Sequence, residues 1–267
     1  MTDQLFRELY KKLELIDDNG HLLSLHTNCP NCDICWKTAK NRMPKPTDNF
    51  WTITKPWVGD KYQTKRILIV GENMNEYGGY EGAVDLTNWA REQIENGAIK
   101  TFKSKTYSGS FVFHRMASYA TTILYHKKIL VSKYNNIWPN QKDVSKAFEY
   151  IAFTNQIKCS PIGQKSEQTS EMWEKCGKFI LKGEIRILEP EIIIILGTSD
   201  NFNNFNLRVM DSPISLKWNG KIGFGIGELN NKNTEIYVVP HPASFGGNSK
   251  EIILDLKEHL KTGANSA

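Results

Sequence analysis

At 267 residues, with 40% hydrophobic and 11% aromatic content, the chain suits one well-buried domain with elaborations and excludes a disordered polymer. A formal net charge of +5 and a pI near 8.8 favour a polyanionic partner without requiring one. No run approaches the ~18 apolar residues of a membrane span, and residues 1–16 mix charges with Leu where a signal core would be apolar, so no membrane and a cytoplasmic location are expected.

Residues 3–16 carry Leu5, Phe6, Leu9, Leu13 and Ile16 near helical spacing, which predicts an amphipathic helix capping the domain. Residues 29–57 hold three Cys and four Pro with little periodicity, so their order must come from something other than regular hydrogen bonding. A bound metal is the natural candidate, because five unevenly spaced cysteines fit a reducing compartment where Cys clusters hold metal more often than disulfides. Residues 1–60 are thus an N-terminal helix and a Cys-rich segment attached to a single domain spanning 1–267.

Four short apolar, β-branched runs follow, at residues 67–70, 150–154, 192–196 and 236–239, each reading as a fully buried strand. Helical patterns at 86–95, 113–129 and 170–188 lie between them, and 250–261 closes the chain. This alternation predicts an α/β fold: one three-layer domain around a central parallel four-stranded sheet. Gly71, Asn155, Gly197 and the Pro240-His241-Pro242-Ala243-Ser244 turn come directly after the strands, so they share the carboxyl edge where such sheets bind ligands. Residues 76–110, with Gly78, Gly79, Gly82 and Gly109 among Tyr77, Tyr80 and Tyr107, read as an enlarged insert after the first strand, in the manner of a lid or recognition loop. Lys and Arg recur from Lys100 to Lys133 among Phe102, Tyr107, Phe111, Phe113, Tyr119 and Tyr125, a mixture suited either to phosphate contact and base stacking or to a solvated helix face.

Three cysteine-bearing segments stand in a telling order. Cys29-Pro-Asn-Cys32-Asp-Ile-Cys35 opens with C-x-x-C; Thr154-Asn155-Gln156-Ile157-Lys158-Cys159-Ser160-Pro161 follows the second strand. Cys176 comes next, ahead of Gly183-Glu184-Ile185, Leu188-Glu189-Pro190 and the strand ending at Gly197. With Gly71-Glu72-Asn73 and His241-Pro242-Ala243-Ser244, these segments resemble the uracil-DNA glycosylase superfamily from Cys29 to about Phe245, nearest its iron–sulfur class, often called family 4.

The resemblance implies a [4Fe–4S] cluster on Cys29, Cys32, Cys159 and Cys176, with Cys35 unassigned; zinc at the same thiolates is the alternative. It also implies a base flipped out of the stack, Asn73 orienting the attacking water, Glu72 carrying charge or capping its turn, and Gly71 letting backbone approach the ligand. An amide cannot act as a base near neutral pH, so a dissociative, oxocarbenium-like course follows from Asn73. His241 would stabilise the departing base anion, with Ser244 in the same motif; the plain alternative is a histidine ordering its own Pro-flanked turn. Asn155 matches the base-reading amide, or else forms a turn. Gly109-Ser110-Phe111 resembles the segment that stacks an aromatic on the base, which makes Phe111 a stacking candidate or a core residue. Where the iron–sulfur class usually has Ala, this chain has Asn73, as in other branches.

The expected function is therefore a monofunctional, monomeric DNA glycosylase releasing uracil or a modified pyrimidine, including hydroxymethylated or glycosylated cytosine in foreign DNA. The role would lie in repair or in defence against invading DNA. Nothing marks Lys158 as a Schiff-base amine, so no lyase step is expected. A catalytically silent DNA- or base-binding module of the same fold is the alternative. A nucleotide-metabolising α/β enzyme lacks its usual phosphate cradle, because no G-x-G-x-x-G or P-loop follows a strand.

Overall fold

Apolar runs with no polar face must be covered on both sides, and that requirement organises the fold. The computed structural model describes residues 2–15, 55–71, 82–97, 109–130, 137–158, 173–174, 176–242 and 249–263. In chain order these form α1 (Thr2–Lys12), β1 (Trp57–Val58), α2 (Tyr62–Lys65), β2 (Ile67–Gly71), α3 (Gly82–Glu95), α4 (Gly109–His126) and α5 (Gln141–Ala147). A 3-10 turn (Phe148–Tyr150) leads into β3 (Ile151–Asn155), and a π-helical stretch (Cys176–Leu181) leads into α6 (Lys182–Leu188). Then follow β4 (Ile192–Leu196), α7 (Ser199–Arg208), β5 (Lys217–Asn219), β6 (Ile222–Leu229), β7 (Lys232–Val239) and α8 (Ser249–Gly263).

The four expected strands pair in parallel in the order β3-β2-β4-β7. They are the centre of a larger sheet than the sequence pattern predicts, because β1 adds antiparallel to β3, and β6 and β5 add antiparallel beyond β7, making seven strands. Successive strand residues face opposite sides. Leu68, Val70, Ala152, Ile193, Ile195, Ile236 and Val238 therefore join one core cluster with residues of α1, the π-helical stretch, α6 and α7. Ile67, Ile69, Ile151, Phe153, Ile192, Ile194, Tyr237 and Val239 join the other, with residues of α3, α4, α5 and α8. Each buried aliphatic side chain contributes about 1.5–3 kcal/mol relative to exposure, which is why these isoleucine-rich runs commit to strands at the centre.

Helix α4 is covered closely enough to bury Ser118, Thr121 and Thr122. Their hydroxyls donate to the carbonyls of His114, Ala117 and Ser118 one turn earlier, so none of these three hydroxyls is stranded. Within the 76–110 stretch, α3 buries Thr87, Ala90 and Ile94, and Trp57 Nε1 donates to Asn88 Oδ1 at 2.9 Å. That part of the stretch is packed core, not a lid. The rest, 76–81 and 98–108, falls outside the described residues.

Candidate active site

Parallel pairing brings the ends of β2, β3, β4 and β7 to one edge. Gly71 lies in register with Asn155, and Val70 with both Thr154 and Ile195, so the ends of these strands adjoin. Gln156 N donates to Gly71 O at 2.9 Å, and Gly197 N donates to Val239 O at 2.8 Å, which ties the strand ends pairwise. Gly197 has φ +150, and a Cβ there would lie 2.2 Å from Asn201 Oδ1. Asn201 needs that space because its Oδ1 accepts from Thr198 N at 2.8 Å, which caps α7.

Asn155 is 1% exposed, and its Oδ1 accepts no hydrogen bond among the described residues. Buried carbonyl oxygens are nearly always paired, so an unsatisfied one at a ligand edge marks a place prepared for a donor. Strand alternation turns this side chain toward the layer containing α4, opposite to Thr154. Gly71 supplies the room: a Cβ there would lie 2.5 Å from Asn155 Oδ1 and 3.3 Å from Phe153.

His241, just beyond β7, is half-buried, and desolvation holds its imidazole below the ordinary histidine value. The adjoining Pro242 is buried, and its carbonyl accepts from Arg115 Nη1 at 2.8 Å. Arg115 is 5% exposed and sits one turn after Phe111 in α4, so a single buried guanidinium joins the helix of the stacking candidate to the turn of the histidine. Beside it, burial and then the Arg115 charge push His114 down to about 4.

Of the predicted site residues, the structure brings Gly71, Asn155 and His241 to the shared edge and puts the backbone of Phe111 in the first turn of α4. Glu72, Asn73, Ser244 and the side chain of Phe111 lie outside the described residues, as do Cys29, Cys32 and Cys159. Cys176 begins the π-helical stretch, buried in the same cluster as Ile157. Among the described residues no three His, Cys, Asp or Glu side chains group as metal ligands, and no helix is long and apolar enough to cross a membrane. The basic and aromatic mixture in α4 is corrected in part, since Phe113 and Tyr119 are core residues, not stacking platforms.

The family model described as the Uracil DNA glycosylase superfamily matches residues 56–262, well over half of the chain. The chain belongs to the uracil-DNA glycosylase superfamily. No curated protein matches it. The matched span takes in every described strand.

Sequence reading assigned no role to Arg115, Glu184 or Tyr10. Glu184 is 0% exposed, and Lys158 lies against it at 1% exposure, with Nζ 2.8 Å from Oε1. The available signal was an acid among the apolar positions of a helix, together with a lysine four residues after Thr154 at a strand end.

Proposed function

We propose that the protein is a monofunctional DNA glycosylase that hydrolyses the N-glycosidic bond of uracil or a modified pyrimidine and leaves an abasic site. The observation that carries this reading is the buried Asn155 with an unpaired Oδ1 at the carboxyl edge. An unsatisfied buried acceptor costs about 1–3 kcal/mol, and a base edge carrying an N–H offsets that cost on binding. A flipped pyrimidine offers such a donor: the imino N–H of uracil or the exocyclic amine of a cytosine derivative.

In this reading Gly71 gives the base edge access, Phe111 stacks on the ring, and Asn73 orients water toward the anomeric carbon beside Glu72. The bond from that carbon to the base nitrogen breaks with its electron pair leaving on the base. Water oxygen then bonds the carbon and its proton balances the charge. His241, with Ser244 in its turn, stabilises the base anion. Burial favours its neutral imidazole, which offers one N–H to the base oxygen near pH 7. Lys158 fits a hydrolase without a lyase step, because its amine is 1% exposed, ion-paired with Glu184 and hydrogen-bonded to Thr154.

A [4Fe–4S] cluster on Cys29, Cys32, Cys159 and Cys176 belongs to the same reading, with zinc as the alternative. Its support is the soft sulfur donor set and the burial of Cys176 beside the chain that enters Cys159. Its role would be structural or DNA-positioning, since base hydrolysis transfers no electron. Bulkier cytosines of foreign DNA, and with them a defence role, rest on the parts of the 76–110 stretch outside the packed α3.

The test incubates the protein, and an Asn73→Ala/His241→Ala double variant, with oligonucleotides carrying uracil or modified cytosines, followed by alkaline cleavage of abasic sites. Breaks made by the wild type alone are expected and would name the base. Retained binding with no breaks on any substrate would instead identify a silent base-binding module.

A further inference from the structure

The family match begins at residue 56, yet a side chain from α1 completes a polar network beneath its base-reading strand. Tyr10, 0% exposed, donates its hydroxyl to Glu184 Oε1. Lys158 Nζ donates to Glu184 Oε2 at 2.9 Å and Thr154 Oγ1 at 2.6 Å, and lies 2.8 Å from Glu184 Oε1 in the same ion pair. Thr154 Oγ1 donates in turn to Glu184 Oε2 at 2.8 Å. Both carboxylate oxygens thus accept, Oε1 from Tyr10 and Oε2 from Thr154 and Lys158, and the ammonium is ion-paired with the same carboxylate.

Such a closed set fixes geometry more than it adds stability, because burying an ion pair costs nearly what the attraction returns. What it fixes lies next to Asn155. Thr154 and Lys158 bracket Asn155 in sequence, and both are anchored to Glu184 on the face of β3 opposite to the Asn155 side chain. Between them, Gln156 is tied to Gly71 O at 2.9 Å and to Asn201 O at 3.3 Å. The backbone carrying the amide is therefore held from both flanks, while Oδ1 has no partner to hold it.

We infer that Tyr10, Glu184, Lys158 and Thr154 are positioning residues that set the orientation of the Asn155 amide, so that α1 is part of the active-site support. The inference rests on Asn155 reading the base. It differs from a merely structural role, in which the network only fastens α1 to α6 and any weakening of that contact has the same effect.

Two variants separate these roles. Tyr10→Phe removes the hydroxyl but keeps the ring stacked with Phe6, at 6.3 Å between centroids. Leu9→Ala loosens α1 beside Gly183 without touching the network. The readouts are base release per folded protein, the preference between the best and second-best base, and the NMR cross-peak of the Asn155 carboxamide in free protein, assigned with Asn155→Asp. Tyr10→Phe is expected to lower kcat/KM about tenfold, as small misplacements of substrate-orienting groups do, to narrow the base preference and to move the cross-peak. Leu9→Ala is expected to lower the melting temperature and leave all three readouts near wild type. An unmoved Asn155 signal in Tyr10→Phe, or equal changes in both variants, overturns the inference. If the wild type releases no base, the glycosylase reading fails by itself, and the cross-peak alone still decides this one.

Discussion

Gly71 and Asn155 stand side by side at the ends of two parallel strands, and the absence of a side chain on the first gives the second its place. A Cβ at Gly71 would lie 2.5 Å from Asn155 Oδ1, closer than real Cβ atoms come to any neighbour. Gly71→Ala is therefore expected to displace the amide and abolish base release or binding, with a stability loss of about 1–3 kcal/mol from overpacking. Gly177→Ala is the matched control, since its nearest contact would be an ordinary 3.4 Å to Arg208 Cδ. Urea denaturation with an oligonucleotide assay on both variants checks this, and an active Gly71→Ala would refute it.

Lys158 and Glu184 are 1% and 0% exposed. Lys158→Met alone or Glu184→Leu alone leaves an uncompensated buried charge and is expected to cost roughly 3–5 kcal/mol. The double variant removes both charges and should recover most of that loss. A double variant whose loss equals the sum of the two single losses, measured by denaturant midpoint, would mean that the pair is not coupled.

Arg115 links α4 to the Pro242 carbonyl in the turn of His241. If His241 acts as proposed, Arg115→Met is expected to slow base release about tenfold or more while oligonucleotide affinity changes less, because the turn loses its brace and the His241 imidazole its aim. Single-turnover kinetics beside a binding titration separate the two effects.

Burial depresses His114 to about 4 and lowers His241, His126 and His259 in the same direction. The folded state then binds fewer protons than the unfolded chain, whose histidines titrate near ~6.5, so stability rises with pH in this window. This contribution is fully present above the unfolded value and is lost as pH falls from ~6.5 toward the depressed values. Thermal midpoints should fall on acidification through that range, and His114→Gln should flatten part of the slope. A slope unchanged by the substitution would contradict the burial of His114.

Metal content tests the four thiolates. Protein purified without oxygen is expected to carry about four irons with matching sulfide per chain, and Cys176→Ser to lose most of it. One zinc per chain would select the alternative.

The sequence by itself determined the sheet's centre, because residues 67–70 and 192–196 are so apolar on both faces that only a doubly covered strand accommodates them. It also marked the carboxyl edge, since Gly71, Asn155 and His241 follow those strands directly. It did not reveal β6, which carries Gly223, Gly225 and Gly227. The tertiary structure explains them: Leu216, Ile214 and Met210 lie so close that a Cβ would come within 2.5–3.0 Å of one of them. Glycine is weak in strands until something packs against its bare face, and local pattern cannot know what will. Only the tertiary structure decided the Tyr10–Glu184–Lys158 and Arg115–Pro242 links, because hydrogen bonds between residues 127 or 174 positions apart depend on where the helices dock. Hydrophobic periodicity says which face of a helix is buried but not which polar groups meet there.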